Sequence, residues 1–171
     1  MTGGMGDAYL SEIREECMSK SLARVAAALK AAGLQTAPVE ARAEIRTAEA
    51  AATEAGVAVD QIVKSILLQG KTGLVLFLTA GGNRVDLAKA AALAGEPLSR
   101  AEVEVVRAVT GFAIGGVAPL GHLTPLPSFA DPRLLDFAEV WAAAGTPRHM
   151  FRVDPRALVR ATGARVADFT G

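Results

Sequence analysis

The sequence is short of the residues that usually build metal sites and covalent intermediates. It has one cysteine, Cys17, which excludes an internal disulfide and a multi-cysteine metal site. It has two histidines, His122 and His149, and contains neither an HEXXH nor a CXXC pattern. The GxSxG motif of a serine nucleophile is missing as well. We therefore predict a protein that works without a metal, a cofactor or a side-chain nucleophile.

Aromatic residues, excess charge and long apolar runs are also scarce. Aromatic residues make up 5% of a chain that is 51% hydrophobic, so the core is expected to consist of Ala, Val, Leu and Ile. Lys plus Arg (18) balances Asp plus Glu (18), which argues against a bulk nucleic-acid coat but allows a local basic patch. No apolar run reaches the roughly 18 residues of a membrane span, and no secretory signal is visible. We expect a cytoplasmic protein with one core, no membrane partner and no DNA partner.

Helix and strand signals mix along the chain. Residues 1–17 are predicted to be a poorly ordered N-terminal extension, and residues 18–171 a single domain. Helices are expected where apolar spacing ends at a glycine, and their N-terminal caps are Thr47, Asp86, Ser99 (with Glu102 in a capping box) and Asp154. Two strand-like runs, 61–69 and 73–80, flank "GKT". This predicts a hairpin turn rather than a phosphate loop, whose pattern needs a glycine where Ser65 stands. The order of elements favours an α+β fold.

Lys64 interrupts an apolar row in "QIVKSILLQ". Strict alternation places Ile62, Lys64, Ile66 and Leu68 on one face of this strand. One interpretation is an edge-strand lysine that prevents aggregation. The other is a lysine at the floor of a cleft, directed at an anionic or carbonyl-bearing substrate.

Five arginines crowd the segment 145–165, where the only acidic residue is Asp154. Arg156 and Arg160 are one helical turn apart and share a face. This face is either an ordinary solvated surface or a set of phosphate contacts for a nucleic acid.

The stretch "GFAIGGVAPLGH", residues 111–122, holds four glycines and no charged residue. Glycines at this density serve a tight turn or a backbone that must come close to something. A backbone that comes close to a ligand can also stabilise a developing negative charge with its amide N–H groups.

Three features in order resemble one family: Lys64 in "IVKSILL", the GxxxP loop from Gly115 to Pro119, and the ending "GTPRHMFRVDPRALVRATGARVADF". The chain from about Met18 onward is similar to the editing-domain superfamily of prolyl-tRNA synthetases, which includes freestanding YbaK-type deacylases. The resemblance implies a mixed, mostly antiparallel, barrel-like sheet with flanking helices. It also implies hydrolysis, in trans, of the ester of mischarged tRNA, chiefly tRNA(Pro), with prolyl-tRNA synthetase as a further partner.

The resemblance also assigns roles to residues. It implies catalytic roles for Lys64 and Gly115, and it places the substrate against the glycine stretch. The substrate-binding residues expected there are Phe112, Ile114, Gly116, Val117, Ala118, Pro119 and His122. The tRNA contacts Arg156 and Arg160 are predicted separately, from the basic helix face that they share and not from the resemblance. No general base is evident in the two motifs, so the terminal ribose hydroxyl of the tRNA and a water are expected to take part.

Two other classes of function stay open: a non-catalytic module that binds tRNA or a synthetase, and a small-molecule ester hydrolase. The amino acid removed is not fixed by the sequence, because one methyl or hydroxyl group changes selection by only ~1–3 kcal/mol.

Overall fold

The computed structural model describes residues 5–171, apart from the side chains of residues 5, 14, 15 and 17–19. Its five α-helices are α1 (Met5–Ala31), α2 (Ala48–Ala55), α3 (Leu87–Ala94), α4 (Val103–Thr110) and α5 (Pro155–Thr162). Its eight strands are β1 (Val39–Glu40), β2 (Ile62–Gln69), β3 (Leu74–Ala80), β4 (Ser99–Arg100), β5 (Ser128–Ala130), β6 (Val140–Ala143), β7 (His149–Val153) and β8 (Arg165–Val166). Two short 3-10 helices lie at Val59–Gln61 and Pro132–Asp136.

One mixed sheet organises these elements, in the order β1-β7-β6-β2-β3-β5-β8. The hairpin β2–β3 forms its antiparallel centre, with seven residue pairs from Val63–Ala80 to Gln69–Leu74. β6 runs parallel to β2, and β5 runs parallel to β3. This confirms the predicted α+β fold with a mostly antiparallel mixed sheet. The sheet is open rather than a closed barrel, because among the described residues β1 and β8 do not pair with each other.

The sheet is interrupted along one side of β2. β6 pairs with β2 only at its start, at Ile62 and Val63. β4 pairs with it only at its end, at Leu68 and Gln69. Between these two contacts, residues 64–67 have no neighbouring strand on that side among the described residues.

Both faces of the sheet are covered. On one face, Val25 and Leu29 of α1 and Leu158 of α5 join the largest core cluster, together with Leu76 and Leu78 of β3. A second cluster contains Phe77, Phe129 and Phe169, and the Phe77 ring stacks on Phe129 at 5.4 Å. A third cluster packs the alanines of α2 against Ile62 and Met150. Aliphatic residues dominate the core, as the composition predicts.

Most predicted caps are confirmed. The side chains of Thr47, Asp86 and Asp154 accept hydrogen bonds from the first turns of α2, α3 and α5. The capping box at Ser99 is wrong, because Ser99 lies in β4 and α4 begins at Val103 without a side-chain cap. Here the short pairing of β4 with β2 takes precedence over the local cap.

Two further predictions concern the place of Lys64 in the sheet and the N-terminal extension. The edge-strand interpretation of Lys64 holds only in part: β2 is an inner strand of the sheet, but Lys64 lies in its interrupted part, which among the described residues has no neighbouring strand on one side. The predicted extension, 1–17, lies partly outside the described residues, and from Met5 onward it belongs to the continuous helix α1. Its separation from a domain at 18–171, and its poor order, stay predictions.

Candidate active site

A cavity of about 550 Å³ opens at the interruption of the sheet beside β2. Its floor is β2 from Ile62 to Leu68, and its walls come from the start of α2, the glycine stretch, β6 and the turn into β7. Of the predicted site residues, Lys64, Ile114, Gly115 and Val117 line this cavity. Lys64 and part of the glycine stretch, about fifty residues apart in sequence, therefore meet at one site.

The Lys64 side chain is half-buried in this cavity. Its Nζ donates a hydrogen bond to the Asn83 backbone carbonyl at 2.5 Å. Burial lowers the pKa of Lys64, and Arg84 lowers it further, while carboxylates such as Glu49 partly oppose both effects. An ammonium group has three donors, and the Asn83 carbonyl uses one of them.

The glycines of the 111–122 stretch have separate structural tasks. Gly111 ends α4 at φ +79°, and Gly115 turns the chain at φ +95° with open space where a Cβ would stand. Gly116 lies against the neighbouring backbone: its Cβ would sit 2.8 Å from the Cα of Thr146. The close approach here is between two segments of the protein, and it holds Gly115 at the cavity.

Hydrogen bonding within the stretch reduces the number of available oxyanion donors. The Gly116 N–H donates to the Ala113 carbonyl at 3.0 Å, inside the turn. Among the described residues, the N–H groups of Gly115 and Val117 have no such partner, and both residues line the cavity.

The rest of the stretch lies behind the cavity, in the core. Phe112 and Ala118 are fully buried, and Pro119 is buried beside them. His122 Nε2 bonds to the Ala118 carbonyl at 2.7 Å, and its ring packs edge-on against Phe112. Because a carbonyl only accepts, Nε2 carries the proton. Burial lowers the pKa of His122. These four predicted substrate contacts, and Gly116 with them, are not among the cavity-lining residues.

His149 is a site residue that the sequence reasoning missed. It lies in the cavity wall at the start of β7, and its Nδ1 is 2.7 Å from Thr146 Oγ1. Thr146 is buried and also accepts from the Arg148 N–H at 3.1 Å. Since Thr146 also supports Gly116, one residue fixes both the loop and the imidazole. The only signal in the sequence was the His149 position within the "GTPRH" ending.

Two polar groups at the cavity are unpaired. Within the described part of the chain, neither Ser65 Oγ nor Trp141 Nε1 has a hydrogen-bond partner, although both atoms are buried. Both residues line the cavity. Buried polar groups normally find a partner, so these two atoms are exceptions within the described part of the chain.

The arginines that are candidates for tRNA contact lie in two places. Arg46 and Arg100 lie at the cavity, and the sequence did not single them out. The predicted tRNA contacts Arg156 and Arg160 are exposed on α5 and do not line the cavity.

In the part of the chain that the structure describes, no three His, Cys, Asp or Glu residues form a group that could hold a metal ion. No helix of this part is long and apolar enough to cross a bilayer.

Comparisons with known proteins agree with this geometry. The chain is 51% identical to a candidate trans-editing enzyme for prolyl-tRNA synthetase of known structure, with a TM-score of 0.85 over 88% of this chain and 97% of the other. It is 30% identical to the hypothetical protein APE2540, with a TM-score of 0.81 over 86% and 99% of the two chains. It is 29% identical over 113 residues to the uncharacterised protein YwhH of Bacillus subtilis (strain 168), covering 66% of this chain and 72% of YwhH.

The sequence pattern of the aminoacyl-tRNA editing domain matches residues 42–161. This range includes β2 with Lys64, the whole glycine stretch, and β6 and β7 with the cavity wall. The match covers more than half of the chain, so the protein belongs to the aminoacyl-tRNA editing domain family.

Proposed function

We propose that this protein is a trans-editing deacylase that hydrolyses the ester bond of mischarged tRNA(Pro). The observation that carries the proposal is the convergence of Lys64, Gly115 and Val117 on one cavity of about 550 Å³. The similarity to a candidate trans-editing enzyme for prolyl-tRNA synthetase supports the choice of tRNA.

The cavity suits the aminoacyl end of a tRNA. Most of its lining side chains are aliphatic, as an amino-acid side chain requires, and polar groups stand at a few positions. Lys64 brings a positive charge to the floor, where it can anchor a phosphate or the ester carbonyl oxygen. Arg46 and Arg100 at the cavity can contact the backbone phosphates next to the terminal nucleotide.

In the proposed reaction, a water oxygen adds to the ester carbonyl and the ribose oxygen leaves with a proton. The N–H groups of Gly115 and Val117 stabilise the negative charge on the carbonyl oxygen. His149, oriented by Thr146, places an imidazole in the cavity wall, where it can pass a proton between the water and the leaving ribose oxygen. The products are the free amino acid and the uncharged tRNA.

Single-turnover deacylation over a panel of tRNA(Pro) species charged with Ala, Cys, Ser or Thr tests the proposal. We expect at least one member to be hydrolysed far above the spontaneous rate, and correctly charged Pro-tRNA(Pro) to be spared. The same amino acid on its own cognate tRNA is the control for tRNA choice.

Other outcomes identify the rival functions. Tight tRNA binding with no hydrolysis of any panel member would indicate a non-catalytic binding module. Hydrolysis of a short aminoacyl ester at the same rate as the tRNA ester would indicate a small-molecule esterase.

A further inference from the structure

The interruption of the sheet leaves main-chain groups of β2 directed into the cavity. The turn of the hairpin shows which ones, because the Gly70 N–H donates to the Gly73 carbonyl at 2.9 Å. Hydrogen-bonded pairs alternate along an antiparallel ladder. The pairs Lys64–Thr79, Ile66–Phe77 and Leu68–Val75 are therefore bonded across the hairpin. The intervening residues of β2 turn their N–H and C=O groups to the opposite side.

The other side of β3 gives an independent check of this alternation. The Leu76 N–H donates to the Pro127 carbonyl at 2.9 Å, and the Leu78 carbonyl accepts from the Asp131 N–H at 2.9 Å. The even-numbered residues of β3 therefore face β5, and its odd-numbered residues face β2, in agreement with the register at the turn.

Four residues of β2 face away from β3. Val63 pairs with β6 and Gln69 pairs with β4. Ser65 and Leu67 lie between them, at the cavity. Among the described residues, the N–H and C=O of Ser65 and the N–H of Leu67 have no hydrogen-bond partner. Orphaned main-chain groups are rare inside proteins, and here three of them stand in one short row.

The spacing of these groups matches one kind of ligand. In a parallel ladder, a residue donates its N–H to one C=O of the neighbouring strand and accepts from the N–H two residues further on. The Ser65 C=O and the Leu67 N–H stand in this relation. An α-aminoacyl group carries a nitrogen donor and a carbonyl acceptor on the same carbon, so it can occupy the place of one strand residue.

We propose that β2 binds the main chain of the aminoacyl group as a one-residue strand. The α-amino group donates to the Ser65 carbonyl, and the ester carbonyl oxygen accepts from the Leu67 N–H with one lone pair, which leaves the other for the N–H of Gly115 or Val117. The inference rests on the proposed deacylase function and names the part of the substrate that this edge recognises. It makes the α-amino group a requirement for binding, whatever the amino-acid side chain.

Amide hydrogen exchange of the intact protein, followed by NMR, tests the free edge. Without ligand, the Ser65 and Leu67 amides should exchange at least about tenfold faster than those of Lys64 and Ile66, which are bonded to β3. Saturation with the non-hydrolysable 3′-deoxy-3′-(L-alanylamino)adenosine should slow the Leu67 amide at least about tenfold and leave Ile66 unchanged.

A matched probe isolates the amino group. 3′-Deoxy-3′-(propionylamino)adenosine keeps the carbonyl and lacks the α-amino group, so we expect it to bind at least about tenfold more weakly, the loss of one hydrogen bond to a charged group. Ser65→Ala is the control variant, since it removes the hydroxyl and keeps the main chain. It should preserve the preference between the two probes.

The inference is overturned if the Leu67 amide exchanges as slowly as Ile66 in the free protein, or is unaffected by the alanyl probe. Equal affinity for the two probes also overturns it. So does the absence of binding of either probe by a protein that is active on tRNA. The deacylation panel separates this failure from that of the proposed function. If the alanyl probe protects the Leu67 amide and no tRNA is hydrolysed, the main-chain binding site is supported and the proposed deacylase function is rejected.

Discussion

The two strands of the central hairpin differ although they are bonded to each other along their length. β3 is buried at all seven positions and has a neighbour on each side, β2 and β5. β2 is buried at only three of its eight positions, and its outer side is interrupted. The difference shows a division of labour, in which β3 supplies stability and β2 supplies the floor of the site. Mutations in β3 should therefore chiefly lower stability, and mutations in β2 should chiefly lower activity.

The largest expected effect is on the stability contributed by β3. Phe77 is fully buried and packs against Phe129 and Phe169. Phe77→Ala should lower the free energy of unfolding by about 3–5 kcal/mol. Its cross-strand partner Ile66 is only half-buried at the cavity, so Ile66→Ala should cost no more than about half of that. Urea denaturation measures both, and equal losses would abolish the distinction between the strands.

The next largest effect is on activity and concerns β2. Lys64→Ala should reduce single-turnover deacylation at least about 100-fold, as for the loss of a charged group that stabilises the transition state. The fold should persist, because the lysine gives the protein one hydrogen bond, to Asn83, worth about 1.5–3 kcal/mol for a charged donor. A variant with the wild-type rate would show that Lys64 is only structural. Lys64→Arg should rescue poorly, since a planar guanidinium is a poor substitute for a compact ammonium.

A pair of glycine variants tests how the loop is held beside β2. In Gly116→Ala the new methyl group meets the Thr146 backbone at 2.8 Å, so the loop must move. A displacement of about 1 Å at an active site costs about 100-fold in rate. In Gly115→Ala the new methyl group has space, but the φ of +95° strains an alanine. We therefore expect this variant to lose about 1–2 kcal/mol of stability, and its rate to fall less than that of Gly116→Ala.

Both variants need rates and thermal unfolding measured on the same sample. A Gly116→Ala protein that deacylates at the wild-type rate would show that the contact with Thr146 does not position the loop.

The pH dependence of the deacylation rate should show a smaller effect, and its direction follows from the lowered pKa of Lys64. Burial lowers the pKa of Lys64 below the usual 10.5. If the ammonium is the working form, the enzymatic rate is highest below this lowered pKa and falls as the pH rises through it. The decline should therefore begin at a lower pH than for an exposed lysine. Lys64→Arg should lack this limb in its residual activity, because arginine does not deprotonate. Rates corrected for spontaneous ester hydrolysis test this, and the same decline in the arginine variant would assign the limb to another group.

The smallest expected effect belongs to the arginines of α5. Replacing Arg156 and Arg160 with Ala should weaken tRNA binding several-fold and lower the slope of log K against log salt by about 2, one for each phosphate contact. The matched pair is Arg46 and Arg100 at the cavity. An unchanged salt slope for the α5 pair, beside a reduced slope for the cavity pair, would assign the α5 arginines to the solvated surface.

The sequence predicted what depends on local chemistry. Caps such as Asp86 and Asp154, and the hairpin around "GKT", are confirmed because a few adjacent residues determine them. The position of Lys64 within the sheet was out of reach, since alternation gives a face and not the neighbouring strands. His149 was missed for a related reason: its contacts with Thr146 and the cavity depend on β7 packing beside the loop. Phe112 and His122 are next to the loop in sequence, yet in the structure they pack behind the cavity, in the core.

Arg24 of α1 limits how the glycine stretch can move. Its guanidinium donates to the Gly111 carbonyl at 2.9 Å and to the Gly121 carbonyl at 3.3 Å, and it lies over the Phe112 ring. One side chain thus ties Gly111 and Gly121, the two ends of an eleven-residue segment, to the same helix. Between these ends Phe112 and Ala118 are buried and Gly116 lies against Thr146, so movement of the segment would have to break these contacts too. The segment is consequently suited to act as a fixed wall of the cavity, and a ligand would enter through an opening that is present without movement of this segment.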